Sequence, residues 1–395
     1  MKLQASGVRR RASVRGAAAF VALFSFSACA GAGAGAGAGA EPGPPARDYL
    51  VFVASEATDQ VALVRFGPGG ARVERRYEVG IHPTDPDGPH GVAVAPDGRH
   101  YYVTTGHGVP YGYIWKYTTD GAQPVGRAEL GMFPASLDVS PDGHYAYVVN
   151  FNLFGAMVPS SVSVVSTDEM VEVARLTTCT MPHGSRLDAS GAHHYSACMM
   201  EDFVVDIDTR TFEIARHFRV MPRAERGYSG APAAMHHHQP PGEPTTTRCS
   251  PTWVTPTPDG ARLFVACNAH DDIVEIDVAS WRMLRRIPAG EGVYNLDITH
   301  DGETLIATNK RGRSVSLFDV ASGRELARIA TQRPVVHGVT VSDDDRYAFI
   351  SVEGVGSEPG TVEVIDLAAR RRVASVDVGQ MAGGIDFWRS EEGVR

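Results

Sequence analysis

The chain of 395 residues is 43% hydrophobic, which is enough apolar material to bury a large core. Its formal net charge is −9 at pH 7, and an acidic surface argues against binding nucleic acid or adhering to anionic lipid by charge. A chain of this length would ordinarily suggest two or three domains, but internal repeats favour a single one.

The first 28 residues follow the pattern of a signal peptide. Five basic residues precede the apolar run GAAAFVALFSFSA, which is too short for a permanent membrane span. The segment FSAC resembles a bacterial lipobox, so we expect residues 1–28 to be removed and Cys29 to be lipidated. Simple secretion is the alternative. The sequence thus predicts an exported lipoprotein of the bacterial cell envelope, in the periplasm or on the outer membrane, that meets the membrane through its lipid anchor only.

Residues 29–47 follow this signal and hold the run AGAGAGAGAGAEPGPPA. This run has no side chains able to build a core, so it predicts a flexible tether. Loss of the signal removes five positive charges and no negative ones, which takes the net charge from −9 to −14.

Six hairpin-like segments recur down the rest of the chain: APDGRHYYVTT, SPDGHYAYVVN, ASGAHHYSACM, TPDGARLFVAC, THDGETLIATN and SDDDRYAFISV. Each joins an alternating apolar segment to a second β-rich segment through Pro, Asp or Gly turn chemistry, as β-hairpins do. A third strand such as DIVEIDV and a fourth such as RELARIA follow each hairpin. Four strands in every 40 to 50 residues or so predict the blades of a β-propeller.

The blades are six complete ones and a seventh that is split between the chain ends. The complete blades begin near His90, Ala135, His183, Thr252, Tyr294 and His337. The segment DYLVFVASEATDQVALVRF lacks a first strand, whereas GGIDFW at 383–388 is a first strand with nothing after it. Pairing the two closes the ring and removes the exposed sheet edges. We therefore predict an all-β, seven-bladed propeller over residues 48–390, with an insertion at 220–249 between blades 4 and 5 and a tail at 391–395.

The motifs YVVN and IATN, which follow two of the turns, resemble the repeats of the YVTN-type propeller family, within the YVTN/cytochrome d1-like propeller superfamily. The resemblance covers about residues 48–390. It implies the propeller fold and says little about chemistry, because propellers host unrelated functions.

Three histidines occupy the same place in their repeats. His90, His183 and His337 each lie eight residues before the turn glycine, or before Asp345 where the glycine is replaced. They should therefore lie at the mouth of the central channel, on the face that carries the second-to-third and blade-to-blade connections, which we call the top face. With His107 they are a hypothetical site for copper or iron, similar in principle to nitrous oxide reductase and carotenoid-cleaving oxygenases. Alternatively, the imidazoles cap the preceding loops and bond to backbone.

The four cysteines beyond Cys29 also fall on the top face. Cys198 and Cys267 lie seven residues after their turns, and Cys179 and Cys249 lie in the loops that enter the same two blades. Hairpin pairing brings these loops back toward the second strands, which favours the disulfides 179–198 and 249–267. Thiolate ligation and the other two connectivities remain open.

The longest irregular segment, residues 220–249, carries the internal run MHHHQ. Long irregular loops in compact folds are usually functional or disordered. It is either a source of metal ligands over the channel or an ordinary solvated, Pro-rich loop.

A set of amide and charged residues on the top face suits a small polar ligand or a peptide, although solvated loops have the same composition. The candidates are Asn150, Asn152, Arg186, Asn268, Asn309, Lys310, Arg311 and Glu353.

Three functions are compatible with these features. The first is a non-enzymatic propeller that binds a protein or ligand on its top face. The second is a metal-dependent or cofactor-bearing redox protein, and the third is a lactonase-like hydrolase. No catalytic residue can be assigned, because the chain shows no nucleophile elbow, haem-attachment motif or phosphate-binding glycine loop.

Overall fold

The computed structural model describes residues 43–82, 84–107, 111–121, 123–232 and 248–393. In these ranges the protein is all-β apart from a short 3-10 helix, Glu56–Thr58, and its strands form seven antiparallel sheets. The predicted seven-bladed propeller is therefore confirmed. No helix within the described ranges has the length and apolar character needed to cross a membrane.

Each blade is one sheet whose strands run in chain order from the channel outward, except in blade 1. Blade 1 consists of β1 (Arg47–Ser55), β2 (Gln60–Gly67), β3 (Gly70–Glu78) and, innermost, β29 (Ala382–Glu392). Blade 2 consists of β4 (Pro89–Val94), β5 (His100–Thr105), β6 (Tyr113–Thr118) and β7 (Pro124–Glu129). Blade 3 consists of β8 (Pro134–Val139), β9 (Tyr145–Asn150), β10 (Pro159–Ser166) and β11 (Val171–Thr180).

Blade 4 has five strands, and the remaining blades have four. Blade 4 consists of β12 (Pro182–Leu187), β13 (His193–Cys198), β14 (Phe203–Asp208), β15 (Glu213–Arg219) and β16 (Arg226–Ser229). Blade 5 consists of β17 (Pro251–Pro256), β18 (Arg262–Cys267), β19 (Asp272–Asp277) and β20 (Arg282–Pro288). Blade 6 consists of β21 (Val293–Ile298), β22 (Thr304–Asn309), β23 (Ser314–Asp319) and β24 (Glu325–Ala330). Blade 7 consists of β25 (Val335–Val341), β26 (Tyr347–Glu353), β27 (Thr361–Asp366) and β28 (Arg371–Asp377).

The ring closes as the sequence predicts, through the pairing of β29 with β1. Strand β29 runs to Glu392, two residues past the predicted end of the propeller at 390. The extension is held by the Arg65 guanidinium, which bonds to both Asp48 and Glu391. Each innermost strand packs against its two neighbours, so the seven strands surround one central channel.

The core lies between neighbouring blades, where alternate side chains of facing sheets interdigitate. Between blades 1 and 2, for example, the ring of Phe52 stacks on Tyr101 at 4.3 Å and Tyr101 stacks on Tyr117 at 5.1 Å. All three rings are fully buried. Large buried apolar contacts of this kind fix the blades against each other and hold the channel residues in place.

Both predicted disulfides are present, linking Cys179 to Cys198 and Cys249 to Cys267. The predicted irregular insertion is partly ordered, because Arg226–Ser229 forms the outer strand of blade 4 by pairing with β15. Pairing with the exposed edge of β15 satisfies backbone groups that a loop would leave to solvent. The MHHHQ run, the predicted signal peptide at 1–28, Cys29 and the predicted tether as far as residue 42 lie outside the described residues.

Candidate functional site

The second or third residue of an innermost strand lies at the top of the channel. His90, His183, Tyr294 and His337 occupy this position in blades 2, 4, 6 and 7. The equivalence that the sequence predicts for the three histidines is therefore present in the fold. Their side chains meet at the channel mouth, with the rings of His90 and His337 at 5.5 Å.

Tyr294 lies between two of the histidines. Its hydroxyl is 2.9 Å from His183 Nε2 and 3.4 Å from His337 Nε2. The other ring nitrogen of His183, Nδ1, is 2.8 Å from the carbonyl oxygen of Thr252, which can only accept a hydrogen bond. His183 therefore carries its proton on Nδ1, and the Tyr294 hydroxyl donates to Nε2. Burial lowers the pKa of His183 to about 3, so this imidazole is neutral at physiological pH.

His90 is held by a carboxylate instead. Its Nδ1 lies 2.5 Å from Glu56 Oε1, and the second oxygen of Glu56 lies 2.9 Å from His107 Nε2. Burial works to raise the pKa of the Glu56 carboxyl, but His90 and His107 hold it well below its usual range. Burial likewise works to lower the pKa of His90, yet the Glu56 carboxylate outweighs it and the pKa lies above its ordinary value. The bond to Glu56 leaves His90 Nε2 directed away from the carboxylate.

A buried ion pair completes the cluster. Lys310 Nζ lies 3.0 Å from Glu353 Oε1 and 4.4 Å from the centre of the Tyr294 ring. Burial works to lower the pKa of Lys310, but Tyr294 and Glu353 raise it, so the ammonium keeps its charge. Burial and the nearby Lys310 charge lower the pKa of His337 well below its ordinary value.

The residue at the end of the second strand of each blade, or directly after it, lies on the top face. These residues are polar in blades 1, 5, 6 and 7, namely Glu56, Asn268, Lys310 and Glu353. They are small or apolar in blades 2, 3 and 4, namely Gly106, Phe151 and Met199. The charged residues of this set thus belong to blades 1, 6 and 7, and the apolar ones to blades 3 and 4.

Below the histidines the channel holds a small cavity of about 30 Å³ and then a wider one of about 250 Å³. Arg186 lines both, with its guanidinium 4.9 Å from the Trp253 ring. Asp138, Asp297 and Asp386 lie at its level, and burial raises the pKa of all three, that of Asp386 to about 7. Asp138 and Asp386 each accept a backbone N–H from the neighbouring blade, at 2.8 and 2.7 Å. These carboxylates link the blades together.

The predicted metal site at His90, His183, His337 and His107 gains no support. Among the residues that the structure describes, no three His, Cys, Asp or Glu side chains are placed to hold a metal ion. The physical reason is that the nitrogens do not converge: Tyr294 separates His183 from His337, and Glu56 binds His90 and His107. Copper or iron binding therefore stays a prediction.

The predicted ligand-binding residues divide into four groups. Lys310 and Glu353 belong to the cluster at the channel mouth, and Arg186 lies below it. Asn268 and Arg311 bond to each other at the rim of blades 5 and 6, at 3.3 Å.

The three remaining asparagines are engaged within the protein. Asn150 and Asn309 are fully buried, and each amide bonds to two serine hydroxyls and to the backbone N–H of a loop glycine. Asn152 bonds to the carbonyl of Ala156 in its own loop. These amides stabilise top-face loops and present little to a ligand.

Two residues of the cluster are absent from the sequence-based prediction, namely Glu56 and Tyr294. Tyr294 lies eight residues before its turn glycine, as the histidines do, so the repeat itself carries the signal. Glu56 has no such signal, because blade 1 is assembled from both chain ends and has no first-hairpin turn from which to count.

No family model matches the chain, and no curated protein matches it. Solved structures do. The periplasmic gluconolactonase of Pseudomonas aeruginosa has a TM-score of 0.63 at 19% identity, over 86% of this chain and 99% of that chain. A protein named as a candidate 6-phosphogluconolactonase of Bacteroides fragilis has a TM-score of 0.64 at 13% identity, over 86% and 98%. Hydrazine synthase of Kuenenia stuttgartiensis has a TM-score of 0.58 at 20% identity, over 77% and 91%.

The chain shares the propeller fold of these proteins. At these identities the likeness extends to the fold alone, and membership of the YVTN-type family stays a prediction.

Proposed function

We propose that the channel mouth is the active site of a hydrolase that opens lactones, or cleaves related carboxylic esters, without a metal ion. The observation that carries this proposal is the contact between Glu56 and His90. A buried carboxylate that holds Nδ1 of an imidazole fixes the tautomer and leaves Nε2 as a base. The same arrangement orients the histidine of other hydrolytic enzymes.

In the proposed reaction His90 Nε2 takes a proton from a water molecule while the water oxygen attacks the carbonyl carbon of the lactone. The Lys310 ammonium stabilises the negative charge that develops on the carbonyl oxygen. When the tetrahedral intermediate collapses, the ring C–O bond breaks and the protonated His90 returns its proton to the departing alkoxide. One lactone and one water give one hydroxy acid.

The two lactonase-named structures add a second line of support. Their names assign lactone hydrolysis to those proteins, and this chain shares their propeller over 86% of its length. A channel mouth with charged residues near a histidine suits the same chemical class. The lower channel, with its blade-linking carboxylates, has no part in the proposed reaction.

A proton-release assay with a panel of five- and six-membered lactones tests this function, since each ring opened at neutral pH yields an acid. We expect hydrolysis above the buffer rate that is unchanged by a chelator such as EDTA. Hydrolysis that EDTA abolishes would contradict the metal-independent mechanism. No hydrolysis of any lactone would leave the non-enzymatic binding propeller as the better account.

Export and lipid anchoring at Cys29 are a separate proposal, supported by the signal pattern and by two disulfides, which form and persist in oxidising compartments. Labelling of cells with a radioactive fatty acid tests it. The wild-type protein should carry the label in the membrane fraction, and a Cys29→Ser variant should lack it. Equal labelling of the two proteins would contradict it.

A further inference from the structure

Phe151, at the top of blade 3, leads into an exposed apolar loop. This loop, residues 152–158, joins β9 to β10 on the top face of blade 3. Four of its seven residues are large and apolar, and each exposes a large fraction of its side chain to solvent. They are Leu153 at 42%, Phe154 at 69%, Met157 at 56% and Val158 at 52%. We call these four residues the apolar lip.

Hydrogen bonds within the loop fix the conformation of the apolar lip. Asn152 adopts a left-handed backbone conformation, with φ of 57°. Its side-chain amide donates to the carbonyl of Ala156 at 3.0 Å, and its own carbonyl accepts the N–H of Gly155 at 3.2 Å. These bonds close the loop on itself and project the lip side chains outward. Single exposed apolar residues are common, but a cluster at the edge of a candidate site usually marks a surface that binds something.

Aromatic contacts connect the lip to the proposed base. The centre of the Phe133 ring is 5.5 Å from the ring centre of Phe154, 5.0 Å from that of His107 and 5.4 Å from that of His90. Phe151, beside Phe133, packs against His183 at 4.8 Å. A series of packed rings therefore connects the exposed lip to the imidazoles, with Phe133 and Phe151 buried and Phe154 exposed where it contacts His107 at 5.5 Å between ring centres. Lys310 and Glu353 belong to blades 6 and 7, whereas the lip belongs to blade 3.

We infer that the substrate is a lactone or ester with an apolar alkyl or aryl substituent, whose reacting carbonyl faces Lys310 and His90 while its substituent lies on the apolar lip. This inference rests on the proposed function. A sugar lactone, which carries hydroxyl groups around its ring, would leave the lip exposed and place polar groups against phenylalanine. Apolar substituents instead remove both surfaces from water.

The expected size of the preference follows from the transfer of hydrocarbon out of water. Each methylene group that becomes buried on the lip should raise kcat/KM about fourfold at most. The lip covers only one side of the alkyl substituent, so we expect kcat/KM to rise about twofold for each methylene group.

A chain-length series of γ-lactones tests the inference directly. We expect kcat/KM to rise from γ-valerolactone to γ-decalactone, and glucono-δ-lactone to be the poorest substrate. In Phe154→Ala and in Leu153→Ala the ratio of the decalactone to the valerolactone value should fall about threefold. Leu284→Ala is the matched control, because Leu284 is equally apolar and 53% exposed but lies on the outer strand of blade 5. Its ratio should equal that of the wild-type protein.

Failure of this inference is distinguishable from failure of the proposed function. If glucono-δ-lactone is hydrolysed as well as γ-decalactone, or if Phe154→Ala keeps the wild-type ratio, the apolar substrate class is wrong and the hydrolase stands. If no lactone in the series is hydrolysed, the proposed function fails and the inference fails with it.

Discussion

Glu56 and His90 join the first and second blades across the top of the channel, with Glu56 Oε1 2.5 Å from His90 Nδ1. Glu56 is 7% exposed, so the dielectric constant around its carboxylate is low and the electrostatic attraction between this charge and a protonated His90 is strong. The pKa of His90 is raised as a result, and the protonation of this imidazole should govern the pH dependence of activity.

Glu56→Gln should move the pH profile toward acid. A general base works when neutral, so activity rises with pH through the pKa of His90, which lies above its ordinary value in the wild type. Glutamine still accepts a hydrogen bond from Nδ1 but carries no charge, so burial is left to lower the pKa. The midpoint of the acid limb of kcat/KM should fall by about one pH unit or more, and the plateau should fall about tenfold.

Glu201→Gln is the control for that change, because Glu201 is also on the top face but bonds to Thr180. Its pH profile should match the wild type. An unshifted acid limb in Glu56→Gln would show that His90 is not the titrating base.

Lys310→Met should lower kcat far more than it changes KM. Methionine keeps most of the side-chain volume and removes the charge that stabilises the developing oxyanion, which is worth about 10² to 10³ in kcat in comparable sites. Lys116→Met is the matched control, since Lys116 bonds to the carbonyl of Thr167 away from the channel mouth. Steady-state kinetics on one lactone measures both. Equal kcat values for the two variants would remove Lys310 from the mechanism.

Loss of stability in acid should depend in part on His194. This imidazole is fully buried against Tyr147 at 4.9 Å, and neither ring nitrogen has a partner among the described residues. Burial lowers its pKa to about 3, so between pH 6.5 and 3 the unfolded chain binds a proton that the folded chain excludes. Stability from this group is complete above pH 6.5 and declines as the pH falls, by about 1.4 kcal/mol per unit.

His194→Phe keeps the ring stack and should flatten this decline by about 2 kcal/mol between pH 6.5 and 5, as measured by urea unfolding. His144→Phe is the comparison, because the His144 side chain is 63% exposed. If the stability of His194→Phe falls with pH as steeply as that of the wild type, protonation of His194 does not contribute to the loss of stability in acid.

The two disulfides should each contribute about 3 kcal/mol to stability. They link residues 19 and 18 positions apart. A crosslink that closes a loop of this length lowers the conformational entropy of the unfolded chain, which raises the free energy of unfolding by about 3 kcal/mol. Paired serine variants, Cys179→Ser with Cys198→Ser and Cys249→Ser with Cys267→Ser, should show it in urea unfolding. A protein that lacks both pairs should be insensitive to a reducing agent. Full stability of either paired variant would show that its disulfide contributes nothing.

The sequence specifies the fold well because the repeat signals are local. Turns such as PDG adopt the same hairpin wherever they occur, and Asp345 takes the left-handed conformation of the replaced glycine, with φ of 57°. The closing strand was predictable because GGIDFW and the N-terminal segment each lacked what the other supplied. The disulfides followed from the same hairpin register.

The site was less predictable because its contacts connect blades rather than neighbours in the chain. Tyr294 is 111 residues from His183, and Glu56 is 34 residues from His90. Position within the repeat identified the histidines but not the partners of their ring nitrogens. Those partners distinguish a metal site from a general base. Asn150 and Asn309 illustrate the converse, since a shared repeat position reflects a buried structural role there.

The most direct test of the central claim compares two histidines that each face a carboxylate. His90 pairs with Glu56 at the channel mouth, and His193 pairs with Asp206 at 2.8 Å near the opposite, hairpin-turn end of blade 4. The initial rate of γ-decalactone hydrolysis should fall by about 10² or more in His90→Gln and stay at the wild-type value in His193→Gln. A His90→Gln protein that is folded and hydrolyses the lactone at the wild-type rate would contradict the account.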